Sequence, residues 1–275
     1  MPVIDAHCHF WRLDRGDYGW LAGTGGPLAP IRRDFAPGDY PGAARIIAVQ
    51  AAPTLAETDY LLGLARAHDA ILGVVGWVDL AAPGAVADLA ARAGDPALLG
   101  IRPMLQDIAE TDWILTAPRP DALAALADLG LAFDALVTTR HLPALARFAA
   151  ENPELPLVID HAAKPRPGDG ADWEAGMRAL AADPRVHCKL SGLLTELPAE
   201  ALRDPAPALG SVVGRLLDWF GPERLIWGSD WPVLTLAAPY ADWAALTERL
   251  LGGLTAAERE GIMGGNAARF YGVAA

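Results

Sequence analysis

Val3-Ile4-Asp5-Ala6-His7-Cys8-His9-Phe10 opens the chain, and the rest can be read outward from it. An apolar start followed by a short alternation suits a β-strand, whose successive side chains point to opposite faces. On that period Asp5, His7 and His9 share one face, and Ala6 and Cys8 share the other. Two imidazoles two residues apart at a strand end converge on one point. They are placed to hold a divalent metal or to floor a substrate pocket. A lone histidine is more often a cap or a packed core residue. Two buried imidazoles need partners, and such partners gather at sites.

Beyond this strand, Trp11 to Asp39 carries many Gly, Pro and Asp residues and no sustained period. Loops of that length inside compact domains are usually functional or disordered. Trp11, Tyr18, Trp20 and Leu21 give it apolar anchors, which predicts an ordered loop, at about 11–39, folded over the site that His7 and His9 begin. From there the pattern alternates. Strands are predicted at 45–50, 71–80, 98–104, 131–137, 155–161, 186–191 and 225–230. Helices are predicted at 55–68, 82–93, 120–129, 140–151, 173–182, 210–220, 240–251 and 256–270. The strands are nearly all continuous apolar runs, which means burial on both faces, as in parallel sheets. Counting the opening strand, eight βα units in 275 residues predict a (β/α)8 barrel as a single domain over 1–275. A doubly wound open sheet is second, weakened because no Gly-X-Gly-X-X-Gly turn follows a strand.

Composition narrows the function. The net charge of −12 opposes nucleic-acid binding, which rests on Lys and Arg neutralising phosphates, and equally opposes an anionic membrane surface. No apolar run approaches the roughly 20 residues of a membrane span. No basic region followed by an apolar segment opens the chain. Cys8 and Cys188 stand outside any spaced metal motif, so a disulfide scaffold is not expected. The expected partner is a small molecule and the expected compartment the cytoplasm, with a homo-oligomer compatible.

Barrel active sites lie at the C-terminal ends of the strands. Here the first strand ends in His7 and His9, the second at Gln50 and the third at Trp77 and Asp79. The fourth carries Arg102, the fifth Asp134, and the sixth ends Asp160-His161. The seventh carries His187, Lys189 and Ser191, and the eighth ends Ser229-Asp230. Packing alone does not place polar residues at every strand end. Lys189 reads as a catalytic or substrate-binding group, and at least as well as a charge partner for Asp134 or Asp160. Arg102, held extended before Pro103, can orient a substrate oxygen or pair with a carboxylate. His68 and His141 read as structural.

The stretches IDAHCHFW (4–11), GDYGWL (16–21), GIRPMLQD (100–107), LAFDALV (131–137), VIDHAAKP (158–165), CKLSGL (188–193) and LIWGSDWPV (225–233) run in order along almost the whole chain. Together they resemble the amidohydrolase superfamily, in particular the amidohydrolase-2 branch that holds sugar-lactone and pyrone-dicarboxylate lactonases. The resemblance implies a metal or polar centre from His7, His9, His161 and Asp230, with Asp230 taking a proton from the attacking water. His161 would be a metal ligand or a hydrogen-bond donor to the oxyanion. One divalent metal is implied, Zn2+ first, with a metal-free route left open because an alkoxide leaves more readily than an amide nitrogen. Members with two metals present a His or a modified Lys on middle strands, where this chain has Arg102 and Asp134, which speaks against a binuclear centre. Arg102, Gln50 and Lys189 are candidates for substrate binding, and Trp11, Trp20, Trp77 and Trp231 for shaping a pocket that suits a sugar ring. The expected reaction is hydrolysis of an aldono-1,4- or 1,5-lactone to the aldonic acid, in carbohydrate catabolism. With Arg102 the one clear arginine at a strand end, a neutral lactone is preferred to a dicarboxylate. A metal-dependent decarboxylase of the same superfamily is the alternative. A barrel nuclease and a barrel that only binds its ligand stand behind it.

Overall fold

The apolar runs become eight parallel strands in a computed structural model that describes residues 2–166 and 168–274. They are β1 Ile4–Cys8, β2 Arg45–Val49, β3 Ile71–Gly76, β4 Leu98–Ile101, β5 Ala132–Ala135, β6 Leu157–Ile159, β7 Val186–Leu190 and β8 Leu225–Trp227. Neighbours in the sheet are neighbours in the chain, from β1 through β8. The ring closes just past β8. Asp230 N donates to His7 O and His9 N to Trp231 O, both at 2.7 Å, beside a parallel bridge between Cys8 and Trp231. This is the (β/α)8 barrel.

Around it lie α1 Leu55–Ala67, α2 Ala85–Ala93, α3 Trp113–Thr116, α4 Pro120–Asp128, α5 Leu142–Glu151, α6 Gly170–Ala181, α7 Ala206–Phe220, α8 Tyr240–Leu250, α9 Ala256–Glu260 and α10 Asn266–Tyr271. Their starts follow local chemistry. Thr54 and Thr255 cap α1 and α9 by accepting from the backbone of Glu57 and Glu258, which satisfies donors that a helix N-terminus leaves open. Among the described residues no helix is long and apolar enough to cross a membrane.

Three expectations need correction. The strands are shorter than their apolar runs: β3 stops at Gly76, β6 at Ile159 and β8 at Trp227. The polar residues beyond turn out of the ladder at the mouth of the barrel. The helix predicted at 256–270 is split by a π turn at Gly261–Gly265. There a side chain at Gly264 would place its Cβ 2.6 Å from Pro2 O, so only glycine lets the chain pass beneath β1. The third correction concerns β1. Asp5 pairs level with Ile46 and Cys8 with Ala48, so three steps on β1 match two on β2. Such a bulge re-aims side chains. Ile46, Ala48 and Cys8 belong to the core between sheet and helices, so Asp5 turns outward with them. It does not share a face with His7 and His9.

Ile4, Ile47, Val49, Val75, Leu99, Ala132, Val158 and Ile226 fill the inside of the barrel below the site, and Ala267 and Tyr271 of α10 close its floor. The 11–39 stretch is folded through short 3-10 turns and a bridge between Trp11 and Phe35, with Trp11, Ile31 and Phe35 buried.

Candidate active site

Where β1 meets β8, three imidazoles surround one carboxylate. Asp230 Oδ1 lies 3.1 Å from His9 Nε2, 3.8 Å from His7 Nε2 and 4.0 Å from His161 Nε2. Each ring is oriented from behind. His9 Nδ1 lies 2.8 Å from Val49 O, and a carbonyl only accepts, so Nδ1 carries the proton. Nε2 is the nitrogen that faces Asp230 Oδ1, at 3.1 Å. His7 Nδ1 lies 3.4 Å from Asp160 Oδ1, and His161 Nδ1 lies 2.9 Å from Ser191 Oγ. Gly192, at φ +60°, allows that last contact, because a Cβ there would stand 2.4 Å from His161 Nδ1.

Burial sets the charge states. It pushes His161 down to about 4 and holds His7 well below the ordinary imidazole value, so both rings are neutral at neutral pH. Burial alone would raise the Asp230 carboxyl. The imidazoles of His161, His9 and His7 around it outweigh that and hold it below the usual carboxylate range.

Two overlapping donor sets result, His7–His9–Asp230 and His7–Asp160–His161, each with ligand atoms within 4.8 Å of one another. Zinc bonds of ~2.0–2.1 Å in a tetrahedral site put ligand atoms roughly 3.3 Å apart. The spacing about Asp230 and the hydrogen bond that fixes His9 from behind through its second nitrogen fit one divalent cation there. In the other set Asp160 is already matched by fixed cations, Lys189 Nζ at 3.2 Å and Arg102 Nη1 at 3.4 Å.

Beneath the rings lies a charge cluster. Lys189, fully buried, pairs with Asp134 at 2.5 Å and Asp160 at 3.2 Å, and Tyr271 Oη donates to Asp134 Oδ2 at 2.7 Å. Lys189 therefore serves as the charge partner and does not line the cavity above. Arg102 Nη2 donates to Gln50 O, while Nη1 lies 3.2 Å from His7 Nε2. Gln50 Nε2 donates to Arg102 O at 2.8 Å, and its buried Oε1 has no partner among the described residues.

The cavity over this floor has a volume of about 290 Å3. Of the expected residues, His9, Trp20, Arg102, His161 and Asp230 line it. His7, Gln50 and Lys189 stand beneath the lining. Trp11 packs behind Trp20, with ring centroids 5.5 Å apart. Trp231 is buried against Phe10, Phe35 and Tyr40. Trp77 is engaged through its backbone by the Thr58 hydroxyl and is not on the lining. Beside Ala51, the wall in place of those tryptophans is made by six further residues, Met104, Gln106, Asp107, Leu136, Lys164 and Val233. All six lie inside the stretches quoted for the family resemblance, just past strand ends. Their position was the available signal, but neither aromatic character nor periodicity marked them. A larger groove of about 470 Å3 runs along α4 and α5 outside the barrel, away from this chemistry.

Residues 4–273 match the amidohydrolase family. The chain is 46% identical to the L-fucono-1,5-lactonase of Burkholderia ambifaria, over 98% of this chain and 94% of that protein. It is 41% identical to the L-fucono-1,5-lactonase of Burkholderia multivorans, over 98% and 95% respectively. The crystal structure of an amidohydrolase from Burkholderia multivorans with bound zinc is 40% identical, covers 100% of both chains and gives a TM-score of 0.90. On its sequence match from β1 to beyond α10, the chain belongs to the amidohydrolase family.

Proposed function

We propose that the protein is a lactonase that opens a sugar lactone to its aldonic acid. The Asp230 carboxylate among three imidazoles at the barrel mouth is the observation that carries it. Asp230 accepts a proton from water as that water attacks the acyl carbon. The bond from acyl carbon to ring oxygen breaks, its electron pair goes to the ring oxygen, and Asp230 returns the proton there. Proton transfer by a placed side chain contributes typically 10²–10⁴-fold. Arg102 lines the cavity beside Asp230 and supplies a hydrogen bond to the carbonyl oxygen as it gains charge, and in the metal-free route His161 donates there as well. Trp20 gives the ring an apolar face, and Gln106 and Asp107 meet its hydroxyls.

The names of the relatives point to a six-membered 1,5-lactone of the L-fucono type as the substrate. His7, His9, Asp230 and His161 would hold one divalent ion, Zn2+ first, given the zinc in the related amidohydrolase. When bound, the ion supplies Lewis-acid polarisation of the carbonyl. A cytoplasmic location and a place in carbohydrate catabolism belong to the same reading.

Proton release from a panel of aldono-1,5- and 1,4-lactones, with and without chelator, tests this. We expect hydrolysis of 1,5-lactones, a loss of about 10³-fold in Asp230→Asn, and a chelator effect reversed by added Zn2+. Folded wild-type protein that hydrolyses no lactone in the panel would overturn the reading.

A further inference from the structure

His161 and Lys164 line one cavity because the chain makes a left-handed turn between them. From His161 through Lys164 the φ values are 55°, 50°, 60° and 52°, and Lys164 N donates to His161 O at 2.8 Å. None of these residues is glycine, so each is held at a cost of roughly 1–2 kcal/mol. Strain of that kind persists where surrounding structure over-determines it, and it clusters at functional sites. Here the turn is fixed from behind: Ala162 and Ala163 are fully buried, and Ala162 O accepts from Trp173 Nε1 of α6 at 2.8 Å. The mechanism above uses only His161. Lys164 is the other side chain that the turn delivers to the cavity.

Its ammonium is loosely held. Glu196 Oε1 stands 3.6 Å from Lys164 Nζ, while Glu196 Oε2 takes Arg166 Nε at 2.9 Å. An ammonium has three N–H groups, and among the described residues none of them has an acceptor at hydrogen-bond distance. Arg102, the other cation of the lining, is engaged by Gln50 O, Asp160 and His7. Lys164 is thus, among the described residues, the lining cation whose whole charged head lacks a hydrogen-bond partner, whereas Arg102 keeps only its Nε unpaired.

Ring opening creates a charge. Water's oxygen replaces the ring oxygen on the acyl carbon, the ring oxygen leaves as a hydroxyl, and the new acid ionises to a carboxylate, its proton passing to solvent. A lactone offers Lys164 only neutral oxygens, whereas the aldonate offers a full negative charge and so adds Coulomb attraction to the ammonium's hydrogen bond. We infer that Lys164 is the binding residue for the carboxylate of the aldonate product, and that Glu196 competes for the same ammonium and so speeds product departure. The inference rests on the lactonase reading and adds product inhibition to it.

Calorimetric titration of L-fuconate into the protein as isolated tests it directly, alongside KM for the neutral lactone. Lys164→Gln is expected to weaken aldonate binding by roughly tenfold or more, with KM changed less than about threefold. Lys164→Arg should keep most of the affinity, and Glu196→Gln should tighten it severalfold. Thermal unfolding of each variant confirms that it is folded. Unchanged aldonate affinity in folded Lys164→Gln would overturn the assignment, as would KM and aldonate Kd rising together, or no aldonate binding by the wild type at millimolar concentration. If the wild type binds aldonate through Lys164 but turns over no lactone, the lactonase reading fails and the binding assignment survives. The converse pattern, turnover with aldonate affinity indifferent to Lys164, fails the assignment alone.

Discussion

Asp5 holds together the two strands that carry the candidate reacting groups. Its Oδ1 accepts from Ser229 N at 2.7 Å and from His7 N at 3.2 Å, and its Oδ2 accepts from Tyr40 Oη at 2.9 Å. Burial pushes the carboxyl up to about 6, with the hydrogen bonds from Ser229, Tyr40 and His7 opposing. A residue so placed acts on His7 and Asp230 through their backbones. Asp5→Ala should lower kcat by about tenfold at nearly unchanged KM, and Asp5→Asn, which keeps an acceptor toward Ser229 N, should recover most of it. Steady-state kinetics on the same lactone checks this, and a parallel loss in both variants would show that the charge rather than the acceptor matters. The histidines and Asp230 were legible because their residue types are rare inside a barrel and fell at strand ends. The outward turn of Asp5 was not, because strict alternation hides a bulge that only pairing with β2 creates.

At the scale of elements, the turn from β2 into α1 is tied by Glu57, whose carboxylate accepts from Ala51 N at 2.9 Å and Ala52 N at 2.8 Å. Burial raises its pKa to about 7, against the opposing effect of those N–H groups and of Arg102. The native state therefore holds this proton more tightly than the unfolded chain does. The contribution is complete below pH ~4.5 and fades as pH rises through about 7, on the order of 3 kcal/mol in all. Urea unfolding across pH 4.5–8 should show this decline, and Glu57→Gln should remove its share of the slope. Asp5 acts in the same direction, so the difference between wild type and variant is the quantity to read. A variant with an undiminished slope would refute the assignment. The strands themselves were readable, since burial on both faces leaves unbroken apolar runs. The left-handed turn at 161–164 was not, because without a glycine nothing in HAAK announces positive φ.

At the scale of the molecule, the barrel stands on a charged plug. Tyr271 of α10 reaches up from the floor to Asp134, which Lys189 joins to Asp160 and so to His7. Tyr271→Phe leaves the buried Asp134 with one donor fewer and should destabilise the fold by about 1–3 kcal/mol. Chemical denaturation would measure it, and an unchanged midpoint would mean that the cluster tolerates the loss. The count of eight units made the architecture plain from the sequence. The plug was hidden, because the glycine run at 261–265 breaks a helix that periodicity had drawn as continuous.

The seam at which the barrel closes also has a consequence for how the protein is made. His9 and Asp230 touch across 221 positions of sequence. Synthesis proceeds from the N-terminus, so a nascent chain carries both imidazoles of β1 long before it carries the carboxylate they surround. A ribosome stalled anywhere before residue 230 releases a fragment without the proposed proton acceptor and without the backbone bonds that shut the ring. With Asp230 in the proposed role, catalytic competence arrives only once the chain has passed β8, and an incomplete polypeptide is chemically silent rather than partly active.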